Sequence, residues 1–193
     1  HIRTDLPKAG LPEFEFHNAI GPDDPAVRQA FADGQVASFP PCFRCGKSDC
    51  GRDDCNNVLI PPQVAVVLTY RALWQKISAD DGCVLVCEDD VVFHPWWRDV
   101  MDMIVDQRDA GVLSLDPEDP ALVRLGWAED AEHRPDQLFR LSREIRMSNP
   151  CHLITPAYAR MLLAECGQID QTADVFAQRT STAARSHAWT AHP

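Results

Sequence analysis

The sequence predicts an α/β domain, a sheet flanked by helices, and three observations predict it. The first is Cys83-Val84-Leu85-Val86-Cys87, a short continuous apolar run that follows a turn and ends abruptly in Glu88-Asp89-Asp90. The second is a set of further strand-length apolar runs at Val112–Leu115, Leu122–Leu125 and His152–Ile154. The third is helical periodicity in the stretches between such runs, the arrangement of a layered α/β sheet. At 193 residues the chain suits one domain, 1–193, and its 45% hydrophobic content can bury a sizeable core.

Element by element, residues 1–24 read as mostly irregular, with Glu13-Phe14-Glu15-Phe16 alternating like a short strand. Pro25 suits a first helical position and opens a helix through about Val36. Pro40-Pro41 and Pro61-Pro62 bracket a cysteine-rich insert, 40–61. Val66, Tyr70, Leu73, Trp74 and Ile77 then fall on one face of a helix that Asp80-Asp81-Gly82 stops. Cys83–Cys87 is expected as a central strand, buried on both faces, and Trp96–Gln107 as the helix after it. Val112–Leu115 and Leu122–Leu125 read as strands separated by an acidic, proline-rich loop. Phe139–Met147 alternates weakly, and His152–Ile154 leads into a helix at Pro156–Glu165 with Thr155 as its N-cap. From Thr180 onward the chain is rich in Ala, Ser, Thr and His and signals no element.

Charge and cysteine usage bound the function. A net charge of −11 repels phosphate backbones and disfavours a nucleic-acid partner. No run approaches the roughly 18 apolar residues a membrane span requires, and no signal-peptide pattern opens the chain. Of eight cysteines, four crowd between Cys42 and Cys55, as metal ligands do. A reducing, cytoplasmic setting is therefore expected.

Three consecutive carboxylates at the carboxyl end of a buried strand repel one another and lose hydration, so something cationic must offset them. Open α/β sheets bind ligands at that end of their strands. Mn²⁺ or Mg²⁺, held by one or two carboxylates plus a substrate's phosphates, meets the requirement. The plain alternative is a solvated acidic loop.

Cys83–Phe93, Cys-Val-Leu-Val-Cys-Glu-Asp-Asp-Val-Val-Phe, resembles the signature of glycosyltransferase family 25, the lipooligosaccharide-type and collagen-type galactosyltransferases. Leu68-Thr69-Tyr70 and Trp74 are similar to the family's preceding helix, with Thr69 and Tyr70 where it has serine and histidine. His152–Thr155 with Ala157, Ala159, Leu162 and Leu163 resembles its later strand-helix unit, and Asp174-Val175-Phe176 its aspartate segment. Arg3–Ile20 resembles the piece after the family's first strand, which lines the nucleotide pocket and is missing here. The resemblance implies a GT-A fold, a Rossmann-like mixed sheet with helices on both faces. It implies that Glu88, Asp89 and Asp90 hold a metal bridging the diphosphate of a UDP-sugar-like donor, with Asp90 and Glu88 as ligands. It implies transfer to a saccharide or glycolipid acceptor with inversion, and Asp174 as the base that deprotonates the acceptor hydroxyl. An aspartate interacting with a helix N-terminus is the other reading of Asp174.

Cys42, Cys45, Cys50 and Cys55 have the spacing C-x2-C-x4-C-x4-C. Four thiolates this close can enclose one tetrahedral zinc ion, and Gly46 and Gly51 permit the tight turns involved. The spacing resembles a zinc knuckle with Cys50 in place of histidine. An iron–sulfur cluster, and disulfides or free thiols, are the alternatives. A closed four-cysteine site leaves no coordination position for catalysis, so zinc here is structural. Arg44, Lys47 and Arg52 are offset by Asp49, Asp53 and Asp54, which argues against a grip on nucleic acid.

Other residues carry weaker signals. Arg140, Arg143 and Arg146 recur every third residue and read as a solvated face rather than a diphosphate clamp. Trp96 and Trp97 read as core before sugar platform, and Cys83 and Cys87 as small buried hydrophobes. His187 and His192 suit an extra metal ligand only by analogy with the fold. Beside the transferase stand two rivals: a catalytically inactive, zinc-stapled scaffold and a metal-dependent hydrolase or nuclease.

Overall fold

The computed structural model describes residues 6–11, 13–37, 47, 59–126, 140–144, 150–184 and 187–192. The four clustered cysteines and Arg146 lie outside the described residues. The architecture is mixed α/β, a five-stranded mixed sheet flanked by helices. In chain order the elements are α1 (Pro25–Ala32), α2 (Pro61–Ile77), β1 (Val84–Cys87), α3 (Trp97–Asp109), β2 (Leu122–Arg124) and β3 (Arg140–Ser142). Then come β4 (Cys151–Ile154), α4 (Pro156–Glu165), α5 (Ala173–Ala183) and β5 (Ala188–His192). No helix among the described residues is long and apolar enough to cross a membrane.

The strands lie in the order β1-β4-β2-β5-β3. β4 pairs antiparallel with β1 and β2, β5 pairs parallel with β2, and β3 pairs antiparallel with β5. Alternate residues serve opposite faces. Val86, Leu122 and Ile154 pack beneath Trp74 and Ile77 of α2 and Tyr158, Ala159 and Leu162 of α4. Val123, Leu153 and Ala191 point the other way, against Val100 and Ile104 of α3 and Leu113. A third cluster lies off the sheet, where Val27 and Ala30 of α1 meet Val64, Ala65 and Val67 of α2 together with Ile169 and Ala173.

Local chemistry sets the helix boundaries. Asp24 caps α1 by accepting from the Ala26 amide at 2.8 Å. That helix stops at Ala32, short of the expected Val36, because Gly34 takes a left-handed φ of 67°. Val36 instead bridges to Ile169. The side chain of Gln63 reaches back to accept from the Ile60 amide at 3.0 Å and so starts α2. Thr155 caps α4, as its position before Pro156 implies.

Several expectations need correcting. β1 is an edge strand among the described residues, half-buried for most of its length, and not a central one. Its apolar character comes from helices over both faces, since Val84 packs toward α2 and Leu85 toward α3. Val112–Leu115 forms no strand: Leu113 alone is buried, closing the end of α3 against the sheet. Glu13–Phe16 forms none either, and Phe14 and Phe16 stay exposed in an edge-to-face pair 5.4 Å apart. Val66 is 48% exposed, so the buried face of α2 runs through Val64, Ala65, Val67, Trp74 and Ile77. The unassigned tail contains the last turn of α5, from Thr180 to Ala183, and all of β5.

Candidate functional site

Glu88-Asp89-Asp90 forms a turn directly after β1, closed by the Val91 amide donating to the Glu88 carbonyl at 3.4 Å. The Glu88 amide donates to the Pro150 carbonyl at 2.8 Å, which continues the β1–β4 ladder by one rung. All three carboxylates are exposed. Water therefore screens their mutual repulsion, and the burial cost expected from a central strand does not arise. Among the described residues, no three His, Cys, Asp or Glu side chains are grouped to hold a metal ion.

Tyr70 organises this turn. Its hydroxyl donates to Glu88 Oε1 at 2.9 Å from the α2 side of the sheet. Burial pushes the Tyr70 hydroxyl well above its ordinary value, and the charges of Glu88 and, less strongly, Asp174 add to that shift. Asp174 stands exposed in the first turn of α5, where the helix dipole favours a carboxylate. Rings fix the frame: Tyr70 lies 5.8 Å from Trp74, and Trp74 lies 5.7 Å from Phe176 of α5. Glu88 thus bonds this tyrosine, and the charge of Asp174, far away in sequence, is felt there more weakly. Thr69, beside it, accepts from the Ile20 amide at 2.9 Å and donates to the Ala65 carbonyl, tying the N-terminal segment to α2.

A polar group runs through the sheet on the same side. Arg124 on β2 is only 1% exposed, and its Nη2 donates to Ser181 Oγ at 2.8 Å. Ser181 also accepts from the Tyr158 hydroxyl at 3.0 Å and donates to the Ala177 carbonyl at 2.6 Å. Nε and Nη1 of Arg124 have no hydrogen-bond partner among the described residues. Desolvation accordingly lowers the guanidinium's pKa. Buried His152 and Thr190 flank it in register on β4 and β5. Sequence reasoning missed this group. The available signal was an arginine two residues beyond Leu122, on the inward face of an otherwise apolar strand.

On the opposite face, Cys87 and Cys151 occupy facing positions of β1 and β4, with their sulfurs 3.5 Å apart. Neither is simply a small hydrophobe. Their contact holds the Cys87 thiol below its ordinary value and, with burial, pushes the Cys151 thiol above it. Cys83 is pushed up to about 11 by burial.

The remaining candidates have structural partners. Trp97 is buried, edge-to-face with Phe93 at 4.9 Å, while Trp96 is stacked on His94 at 4.8 Å. Arg143 sits over the Trp189 ring, 3.2 Å from its centroid, rather than on a solvated face. Arg140 is exposed on β3. His187 donates its amide to the Ala184 carbonyl just before β5, and His192 lies at the far end of that strand opposite Arg140.

Comparison of the chain with protein-family models, curated proteins and solved structures yields no match.

Proposed function

We propose that the protein is a metal-dependent, inverting glycosyltransferase of GT-A type, moving a sugar from a UDP-sugar-like donor to a saccharide or glycolipid acceptor in the cytoplasm. One observation carries the reading: the Tyr70 hydroxyl bonds Glu88 of the carboxylate turn after β1, and α5, whose first turn holds Asp174, packs onto the same α2 rings through Phe176. The donor set suits a hard cation, because these are oxygen ligands and Asp89 and Asp90 are open to solvent. Asp90 and Glu88 would hold Mn²⁺ or Mg²⁺, with Asp89 beside them. When bound, the metal offsets charge on the leaving diphosphate. Asp174 accepts the proton of the acceptor hydroxyl. Cys42, Cys45, Cys50 and Cys55 would hold a structural zinc that staples the 40–61 insert.

The second reading is a catalytically inactive, zinc-stapled scaffold with a transferase-like fold. The Tyr70 hydroxyl favours it, because it occupies a Glu88 oxygen that a metal would otherwise take.

Isothermal titration of UDP and UDP-sugars, with and without Mn²⁺, separates the two. The transferase predicts metal-dependent binding that Asp90→Ala abolishes. Absence of binding to the intact chain selects the scaffold.

A further inference from the structure

Cys87 and Cys151 are directly opposed across the β1–β4 ladder. The ladder places them at a non-hydrogen-bonded position. The Glu88 amide bonds the Pro150 carbonyl on one side, and the Cys151 carbonyl accepts from the Leu125 amide at the end of β2 on the other. Such pairs bring Cα atoms to about 4.5 Å and side chains closer than hydrogen-bonded pairs do, within the range that a disulfide spans. The sulfurs already touch at 3.5 Å, and a bond at about 2.05 Å needs only side-chain rotation. Cys87 is half-buried on an edge strand, whereas Cys151 is 4% exposed, so an oxidant in solution meets Cys87 first.

We propose that Cys87 and Cys151 are a reversible thiol–disulfide site, oxidised by a peroxide and restored by a thiol reductant. The Cys87 sulfur attacks the peroxide, the O–O bond breaks, and a sulfenic acid and one water result. The Cys151 sulfur then displaces the sulfenic hydroxyl, which leaves with the remaining thiol proton as a second water while the S–S bond forms. Two electrons pass from the sulfur pair to the peroxide, and both thiol hydrogens end in water. Cys87 is half-buried rather than enclosed, so a thiol reductant can reach its sulfur and reverse the bond. Oxidation pins the residue before Glu88 to β4 and so fixes the backbone from which the acidic turn departs. This inference stands whether or not the protein transfers sugars.

The test uses the full chain, reduced, desalted, exposed to graded hydrogen peroxide, then alkylated, digested and mapped by mass spectrometry. Cys166, half-buried and facing no other cysteine among the described residues, is the internal reference. The expected result is a linked Cys87–Cys151 peptide pair, lighter by two hydrogen atoms and cleaved by dithiothreitol. It should form at peroxide concentrations that leave Cys166 alkylated. In Cys151→Ser the link is lost and a sulfenic-acid probe labels Cys87. Should that variant not fold, Cys87→Ser serves, with Cys151 then remaining fully alkylatable under the same exposure. Oxidation of Cys166 before the pair, or linkage of Cys87 to another cysteine, overturns the proposal.

Discussion

Tyr70 holds the first carboxylate of the acidic turn while its ring stays packed on Trp74, so two roles can be separated by removing one atom. Tyr70→Phe keeps the ring and loses the donor. It should cost about 1 kcal/mol, read from urea unfolding, because exposed Glu88 recovers water as a partner. Arg124 presents the opposite case. Its charge is buried with two nitrogens unpaired among the described residues, so desolvation outweighs what Ser181 returns. Arg124→Met should therefore be neutral or stabilise by about 1–4 kcal/mol in the same assay. A marked loss would show that the guanidinium has a counter-charge in the folded protein. Cys83 gives a pH prediction. Its thiol titrates near 11 when folded against an ordinary 9.0, so the folded state binds more protons between those values. Stability is then intact below pH 9 and falls as pH rises toward 11, by roughly 2 kcal/mol, and Cys83→Ala should lack that part of the alkaline loss.

Thr155 shows how much an element can depend on one side chain. Its hydroxyl accepts from the amides of Ala121, at 2.9 Å, and Tyr158, and donates to the Asp119 carbonyl at 2.7 Å. It thereby starts α4 and clamps that helix to the segment entering β2. Thr155→Ala should cost about 2 kcal/mol in urea unfolding, and Thr155→Ser should restore most of it. This cap was legible in sequence because capping is local: Thr155 precedes Pro156 and an apolar helical pattern. The position of β1 was not. A continuous apolar run reports that both faces of a strand are covered, and it says nothing of how many edges are paired. Val84 and Leu85 are apolar because α2 and α3 lie over them, although only β4 pairs with β1 among the described residues. The same logic hid β5. Ala188 and Thr190 are wholly buried, but their small side chains carry no hydrophobic signal, and the pairing with β2 and β3 defines the strand.

At the scale of the molecule, β5 joins β3 to the rest of the sheet. A chain truncated after Ala184 should lose its cooperative urea transition, since β2 forfeits its parallel partner and β3 its neighbour. The candidate site was half legible in the sequence. Glu88-Asp89-Asp90 could be placed at a strand's carboxyl end from their run alone, and so they are. The approach of α5, with Asp174 in its first turn, to Tyr70 could not be read that way, because it depends on how α2 and α5 pack through Trp74 and Phe176. Arg124 and the Cys87–Cys151 contact likewise come from strand register, which no local pattern encodes.

The strand order also sets a timetable during synthesis. β1, β2 and β4 can pair as soon as Ile154 has emerged, but β3 has no strand beside it among the described residues until β5 is made. About 45 residues, 143–187, separate the two, which at translation speeds of about 5–20 residues per second leaves β3 waiting for roughly 2–9 seconds. A ribosome pausing within that interval would prolong the exposure of an unpaired edge and an uncovered Leu141, making the nascent chain's demand for chaperones greatest there.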